Sequence, residues 1–239
     1  MTVLLLQCRP EDEAADEEYG AILSRGGLTA TDVRRVRLEQ DDPGSLSDVR
    51  AIIMGGGPAC VSDPDPTPAE AAINDRTRAI LKQVCARDIP FLGLCYGVGA
   101  LAAFLGGQVD KSARSEPISV ADLGITPEGR ADPLLEGVPK QFTGLVAHKE
   151  AAQEVPPDAT LLVEGTACPV QMIRYRSNVY ATQFHPEANG DSFALRIGVY
   201  RDRGYFDAAE ADALQARVSG IETPHAARIL RNFVDRFAR

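Results

Sequence analysis

The stretch IPFLGLCYG at residues 89–97 decides the fold. Residues 89–94 form a short apolar run that predicts a buried strand, and residues 96–105 are rich in helix formers and lead into the glycine pair 106–107. A cysteine between two glycines at such a strand-to-helix turn is typical of a nucleophile elbow, which needs small neighbours and exposes the nucleophile beyond the strand end. The alternative is a core residue, because cysteine is among the most buried residue types.

The composition limits the classes of function. The chain has 239 residues and a net charge of −9, a size that suits one α/β domain and a charge that disfavours nucleic acid or an anionic membrane as partner. We find no leader pattern and no apolar run near the roughly 20 residues of a membrane helix. The cysteines include no C-x-x-C pair, which predicts reduced thiols. We therefore expect a cytoplasmic protein without a metal or cofactor.

The remaining sequence alternates between strand and helix patterns up to residue 107. Strands are expected at residues 3–7, 36–38 and 49–54, and helices at residues 11–27 and 69–87. This alternation predicts a flavodoxin-like, mostly parallel α/β sheet with helices on both faces. Residues 108–187 carry short alternating runs that predict appended antiparallel strands, and residues 192–239 predict a helical tail. We expect a single domain over residues 1–239.

Three glycines and a proline at residues 55–58 directly follow the strand predicted at 49–54. Such a loop lets the backbone approach a ligand closely. It could cradle a phosphate, supply N–H donors to an oxyanion hole, or be a structural turn. The phosphate loop is the weakest of these, because no Lys-Ser/Thr pair follows and G-x-G-x-x-G is absent. Ligands of parallel sheets sit beyond the carboxyl ends of the strands, where this loop and Cys95 both lie.

A cysteine nucleophile needs a base, and the chain has three histidines. His225 lies beside the predicted start of the last helix and is most simply a surface residue. His148 ends a predicted strand and could lie near the site or be only half-buried. His185 lies in the segment QFHPE, residues 183–187, at the end of another predicted strand. This position makes His185 the preferred candidate base.

Glu187 follows His185 by two residues, and the intervening proline favours extended backbone at the histidine. Extended geometry puts both side chains on the same side of the chain. The segment could also be an ordinary surface turn. In combination with the elbow and the glycine loop, we interpret Cys95, His185 and Glu187 as nucleophile, base and orienting carboxylate.

The three motifs together resemble a known family. GGGP at 55–58, GLCYG at 93–97 and QFHPE at 183–187, in this order, are similar to the class I (triad-type) glutamine amidotransferases. The similarity is greatest to the free-standing branch that resembles the amidotransferase domain of GMP synthase, and it extends over residues 3–187. The resemblance implies the same flavodoxin-like fold and glutamine, or another γ-glutamyl compound, as the substrate.

The resemblance also implies a role for each motif. Cys95 would attack the γ-carboxamide, form a γ-glutamyl thioester and release ammonia, and water would then hydrolyse the thioester. His185 would move the protons and Glu187 would orient it. The backbone N–H groups of Gly57 and Tyr96 would hold the oxyanion.

The expected substrate pocket departs from the family pattern. Gly99 stands where the family commonly has a glutamine four residues after the nucleophile, and Ala59 stands where some members have a glycine. His148 and Lys149 begin a His-Lys-Glu segment where many members have a sequence like His-Gly-Asp. By resemblance these positions, with Gly56, belong to the substrate pocket. The identity of the γ-glutamyl substrate therefore stays open.

Several functions fit these patterns. The first is a glutaminase that supplies ammonia to a separate synthetase chain, since the sequence has neither a Ser-Gly-Gly-x-Asp-Ser loop nor a P-loop for activating an acceptor. The second is a stand-alone hydrolase of γ-glutamyl peptides or conjugates. A non-catalytic binding protein on the same scaffold and a redox-sensing thiol protein are further alternatives. The Cys-His-Glu set favours the first two.

Overall fold

The computed structural model describes residues 2–203 and 206–239. Its strands are β1 (Thr2–Gln7), β2 (Val33–Arg37), β3 (Val49–Met54), β4 (Phe91–Leu94), β5 (Val109–Asp110), β6 (Glu116–Ile125), β7 (Gln141–His148), β8 (Ala151–Ala152), β9 (Ala159–Gly165), β10 (Met172–Tyr175) and β11 (Val179–Thr182). Its α-helices are α1 (Asp12–Gly26), α2 (Pro68–Arg87), α3 (Tyr96–Phe104), α4 (Gly190–Val199), α5 (Ala211–Val218) and α6 (Pro224–Phe237). The predicted helical tail includes residues 204 and 205, which lie outside the described residues.

The main sheet joins a parallel half to an antiparallel half. Its strand order is β2-β1-β3-β4-β11-β10-β9-β6-β7. The pairs from β2 to β11 are parallel, and those from β11 to β7 are antiparallel. The predicted α/β sheet with appended antiparallel strands is thereby confirmed.

Strand β1 shows how the sheet buries both faces. Leu4 and Leu6 pack in the core beneath α2 and α3, whereas Val3 and Leu5 pack in the core beneath α1 and α6. This alternation follows from the two-residue period of a strand. Each fully buried aliphatic side chain contributes about 1.5–3 kcal/mol relative to exposure. Helices on both faces therefore explain why residues 3–6 of the strand are all apolar.

Some element boundaries differ from the sequence predictions. The helical tail expected from residue 192 begins with α4, which spans Gly190–Val199. It begins earlier because the Asn189 side chain accepts the Ser192 N–H at 3.0 Å and caps the helix. Short strands β5 and β8 were not predicted, because two-residue strands carry no periodicity. Among the described residues, no helix has both the length and the apolar character needed to cross a bilayer.

The topology brings the three sequence motifs together. β3, β4 and β11 are neighbouring parallel strands, so their carboxyl ends meet at one edge of the sheet. The glycine loop at 55–58 follows β3, Cys95 follows β4, and residues 183–187 follow β11. Helices α4 and α5 form a small separate hydrophobic cluster that includes Leu145 of β7. They cover the antiparallel side of this edge.

Candidate active site

Cys95 lies in a sharp turn between β4 and α3. Its φ of 50° and ψ of −90° put it in a region that costs a side-chain-bearing residue about 1–3 kcal/mol. The Cys95 N–H donates to the Thr182 carbonyl oxygen at 2.7 Å and holds the turn in place. A Cβ added to Gly93 would lie only 3.0 Å from the Gly97 Cα, so the strand and helix approach too closely for a larger residue at position 93. The predicted elbow geometry is therefore present.

His185 and Glu187 form a buried pair beside the cysteine. His185 Nδ1 lies 2.7 Å from Glu187 Oε1, and the two residues are 3% and 0% exposed. Because an ionised carboxylate only accepts hydrogen bonds, Nδ1 is the donor. His185 and Cys95 are neighbours, because a Cβ added to Gly56 would lie 3.0 Å from His185 Cε1 and 3.3 Å from Cys95 Cβ, and both residues line one cavity. Since Glu187 engages Nδ1, Nε2 is the ring nitrogen that remains for the thiol. The three residues predicted as nucleophile, base and orienting carboxylate thus lie close together.

Arg196 of α4 is a further member of this group, and the sequence predictions missed it. Its Nη1 donates to Glu187 Oε1 at 2.8 Å, and its Nε donates to Glu17 Oε2 at 2.8 Å. The residue is only 6% exposed. Phe193 and Ile197 on the same helix are buried, so the helical period places Arg196 at the edge of an apolar face. A charged residue at the edge of this apolar helix face was the feature of the sequence that could have pointed to Arg196.

Two residues expected to supply oxyanion donors lie in the same cleft as Cys95. Gly57 and Tyr96 both line this cleft. Within residues 2–203 and 206–239, neither N–H donates a hydrogen bond to another group. Gly57 is required at its position because a Cβ there would overlap the Cys8 carbonyl oxygen. These two donors are those that the sequence resemblance implies for an oxyanion hole.

The cleft also contains most of the residues expected in the substrate pocket. Ala59, Gly99, His148 and Lys149 line it together with Cys95. Gly56 lies behind the nucleophile instead, because a Cβ on it would meet His185 Cε1 at 3.0 Å. Glycine at position 56 thus leaves space for the histidine ring.

Glu150, which the sequence analysis did not place among the site residues, fills the space beside Gly99. Its Oε1 accepts the Val61 N–H at 2.9 Å, and its Oε2 accepts the Ser62 N–H and hydroxyl at 3.0 and 2.7 Å. A Cβ on Gly99 would lie 3.0 Å from Glu150 Oε1. The Glu150 carbonyl also accepts a hydrogen bond from His148 Nδ1 at 2.9 Å. The absence of a long side chain at position 99 is thereby explained by an anchored carboxylate.

Behind this segment, Glu116, His148 and Cys168 place one donor atom each within 4.8 Å of one another. His, Cys and Glu are ligand types that suit a transition metal. Each side chain already has a protein partner. Glu116 Oε2 lies 3.0 Å from His148 Nε2 and accepts from Gln171 Nε2 at 2.7 Å, and the Cys168 thiol points to the Val170 carbonyl at 3.6 Å. The contacts anchor the edge of the cleft, and the expectation of no metal stays a prediction.

Comparison with known proteins identifies the family. The sequence matches the model of the family "Glutamine amidotransferase class-I" over residues 19–197. This chain belongs to the class-I glutamine amidotransferases. The match covers about three quarters of the 239 residues and confirms the resemblance predicted from the three motifs.

Two curated relatives of this amidotransferase are GMP synthase proteins. The "GMP synthase [glutamine-hydrolyzing]" of Thermosipho africanus is 32% identical over 148 residues, which are 62% of this chain and 26% of that protein. A glutamine-hydrolysing GMP synthase subunit of Pyrococcus abyssi is 27% identical over 148 residues, which are 59% of this chain and 71% of that protein. The match thus spans about a quarter of the former relative's length.

Solved structures support the fold of this amidotransferase. A glutamine amidotransferase from Thermotoga maritima superposes with a TM-score of 0.77 at 16% identity, covering 100% of this chain and 98% of that one. A second, from Methylobacillus flagellatus, gives a TM-score of 0.71 at 18% identity, covering 99% and 95%. At these identities the likeness confirms the class I fold.

The charges around the buried pair of this amidotransferase shift two pKa values in opposite directions. Burial alone would lower the pKa of His185, but the charges of Glu187 and Cys95 together raise it from 6.5 to about 9. Burial alone would raise the pKa of Glu187, but His185 and Arg196 hold it well below its ordinary 4.5. The imidazolium and the carboxylate therefore stabilise each other.

We expect this pair to make the stability of the amidotransferase depend on pH. Because the pKa of folded His185 is raised, its contribution is fully present below pH 6.5 and is lost as the pH rises through about 9. The contribution of Glu187 is present above pH 4.5 and is lost as the pH falls. The melting temperature of a His185→Gln variant should therefore lie furthest below that of wild type between pH 4.5 and pH 6.5, where both contributions are present.

Thermal denaturation across this pH range checks the expectation. The difference between wild type and His185→Gln should narrow above pH 6.5, by roughly 2–4 °C for each kcal/mol lost. His225→Gln, at an exposed position, serves as the control and should show a constant difference. A His185→Gln difference that stays constant from pH 5 to pH 9 would contradict the ion pair.

A second cavity lies on the His185 side of Cys95 and has a volume of about 60 Å³. Arg9 and Arg196 line it together with apolar side chains of α4 and of the residues that follow. Within the described part of the chain, Arg196 Nη2 is buried and has no hydrogen-bond partner. The cleft and this cavity therefore meet at Cys95 from opposite sides.

Proposed function

We propose that this chain hydrolyses the γ-carboxamide of glutamine through a γ-glutamyl thioester on Cys95. The observation that carries the proposal is the buried group of Cys95, His185 and Glu187, which lies beside two backbone N–H groups that have no hydrogen-bond partner within the described residues. Such a series is the arrangement required for nucleophilic acyl transfer. Membership of the class-I amidotransferases supports glutamine as the substrate.

In the acylation step, the proton of the Cys95 thiol lies on His185 Nε2, because the pKa of His185 is raised to about 9 and favours the imidazolium. The sulfur forms a bond to the amide carbon, and the carbonyl π electrons move to oxygen, where the Gly57 and Tyr96 N–H groups stabilise the charge. When the carbonyl reforms, the carbon–nitrogen bond breaks. The leaving nitrogen takes the proton from His185 and departs as ammonia.

In the deacylation step, water occupies the position that ammonia has left. His185 Nε2 takes a proton from this water, and the resulting nucleophile attacks the thioester carbon. The carbon–sulfur bond then breaks, the thiolate recovers the proton from His185, and glutamate is released. Glu187 holds the histidine tautomer and stabilises the imidazolium formed in both steps, while Arg196 holds Glu187. This chemistry needs no cofactor.

The leaving group must lie where His185 can protonate it, which is the cavity lined by Arg9 and Arg196. Its volume of about 60 Å³ accommodates ammonia. We propose that the ammonia serves a separate synthetase chain, an assignment supported by the Pyrococcus abyssi relative, which is named as one subunit of GMP synthase.

A second candidate function is hydrolysis of γ-glutamyl peptides or conjugates. It is favoured by the buried Arg196 Nη2, which lacks a hydrogen-bond partner within the described residues and belongs to a side chain lining this cavity. An amino acid as the leaving group would carry a carboxylate that a guanidinium can bind. The two candidates share Cys95 and differ only in what occupies the leaving-group side.

A substrate panel separates the two. We expect the purified chain to release glutamate and ammonia from L-glutamine with a kcat/KM at least about ten-fold above that for γ-glutamyl amino acids, because it belongs to the class-I glutamine amidotransferases. Glutamate and ammonia are quantified separately, and Cys95→Ala provides the blank. A preference for a γ-glutamyl amino acid would select the second candidate, and glutamate release unaffected by Cys95→Ala would contradict both.

A further inference from the structure

Glu18 of α1 is a fully buried carboxylate beneath the glycine loop. Its Oε1 accepts the Arg9 Nε–H at 2.9 Å and the Gly56 backbone N–H at 3.1 Å, and its Oε2 accepts Gln7 Nε2 at 3.1 Å. A side chain on Gly55 would overlap this carboxylate. A buried charge needs such partners to be tolerated, and one of the partners here belongs to the loop that carries Gly57.

The three consecutive backbone N–H groups of the glycine loop differ in their hydrogen-bond acceptors. The Gly55 N–H donates to the Leu6 carbonyl at 2.8 Å, which continues the sheet. The Gly56 N–H donates to Glu18. The next N–H, that of Gly57, has no partner among the described residues, and Gly57 lines the cleft beside Cys95. The direction of the second N–H constrains the orientation of the third, because adjoining peptide planes share one α-carbon.

Without the Glu18 contact, the Gly56 N–H would lose its hydrogen-bond partner. Glycine occupies positive and negative φ about equally well, so peptide planes in a run of three glycines can rotate at little steric cost. Rotation of the Gly56–Gly57 peptide would point a carbonyl oxygen into the cleft instead of an N–H. A carbonyl at that point would repel a developing oxyanion.

We propose that Glu18 is a positioning residue that, held by Arg9, fixes the Gly57 N–H in the direction needed to stabilise the oxyanion. The inference rests on the proposed acyl transfer at Cys95. All the groups in this contact series belong to one chain: Arg9 follows β1, Glu18 lies on α1, and the glycine loop follows β3.

The test shortens the side chain while keeping its charge. Glu18→Asp still offers a carboxylate to Arg9 but withdraws the acceptor from the Gly56 N–H. We expect kcat for glutamine to fall about 10–100-fold with little change in KM, a smaller effect than the roughly 10²–10³ for deleting an oxyanion donor outright. Affinity for glutamate γ-semialdehyde, whose thiohemiacetal with Cys95 carries an oxyanion, should fall by a similar factor.

Two further measurements separate positioning from general damage. Alkylation of Cys95 by iodoacetamide does not pass through an oxyanion. Its rate in Glu18→Asp should therefore stay within about two-fold of the wild-type rate. Asp132→Asn is the matched control, because Asp132 is a buried carboxylate that also accepts a backbone N–H, from Leu134 at 3.0 Å, and an arginine, Arg174. It should lose stability but keep its kcat and its affinity for the aldehyde. Glu18→Gln, which keeps the length of the side chain, should lose less kcat than Glu18→Asp.

The outcomes are distinguishable from failure of the proposed function. Wild type that turns over glutamine, together with Glu18→Asp of unchanged kcat and aldehyde affinity, would overturn the positioning role and leave the function standing. Equal losses of aldehyde affinity and alkylation rate would also overturn it, since they indicate a disrupted site. Wild type without turnover of any γ-glutamyl compound would refute the function and the inference together. If Glu18→Asp does not fold, Glu18→Gln is judged by the same three readouts, with a loss confined to kcat and aldehyde affinity expected.

Discussion

Replacing Cys95 with alanine is expected to reduce glutamine hydrolysis by about 10⁴-fold or more, to the level of the assay blank. Alanine removes the sulfur that would form the thioester, and the hydroxyl of Tyr96 at the start of α3 is engaged elsewhere, donating to Asn74 Oδ1 at 2.8 Å. The backbone of the elbow should be preserved, because alanine is smaller than cysteine and keeps the same backbone hydrogen bond to Thr182. Glutamate release at saturating glutamine measures the effect, and the melting temperature confirms that the variant is folded.

Cys85→Ala and Cys168→Ala are the matched controls. Burial raises the pKa of the Cys85 thiol to about 11 and that of Cys168 to about 12, so both stay protonated near neutral pH and are poor nucleophiles. Each control should keep kcat within about two-fold of wild type. Retention of several per cent of the activity in Cys95→Ala would contradict the assignment, as would an equal loss in a control.

Glu187→Gln is expected to lower kcat by about 10²–10⁴-fold while leaving KM nearly unchanged. The neutral amide can no longer stabilise the imidazolium, and it can present an N–H donor where His185 Nδ1–H requires an acceptor. The loss should be smaller than that for Cys95→Ala, because the nucleophile and the oxyanion donors remain. Single-turnover kinetics should show slower acylation.

Glu17→Gln is the informative comparison. Glu17 and Glu187 both accept hydrogen bonds from Arg196, but only Glu187 also contacts His185. The Glu17 variant should therefore lose less than about ten-fold in kcat. Equal losses in the two variants would mean that Arg196, and not the direct contact with His185, determines the rate. Unchanged activity in Glu187→Gln would remove Glu187 from the triad.

The features that the sequence predicted are local. The elbow at Cys95 depends on an apolar strand, two glycines and a helix within seventeen residues, and the topology then follows from the alternation of strands and helices. His185 and Glu187 were paired because their two-residue offset works within one extended segment. Their convergence with Cys95 required only the rule that carboxyl ends of parallel strands share one edge.

The features that it did not predict are contacts between distant parts of the chain. Arg196 and Glu17 are separated by 179 positions, and Glu18 reaches Gly56 across 38. Neither pair carries a spacing that could identify it in advance. Glu150 was overlooked for another reason: the departure at Gly99 suggested an altered pocket, but only the packing showed which side chain fills it. The substrate side of the site was therefore less predictable than its chemistry.

Acid quenching of the enzyme during turnover of L-glutamine, followed by peptide mass spectrometry, tests the thioester most directly. We predict that the peptide containing Cys95 gains the mass of one γ-glutamyl group, that hydroxylamine removes it, and that Cys95→Ala does not acquire it. The account would be contradicted if an active enzyme carried the γ-glutamyl group on another residue. It would also be contradicted if no residue carried the group under single-turnover conditions while Cys95→Ala still hydrolysed glutamine.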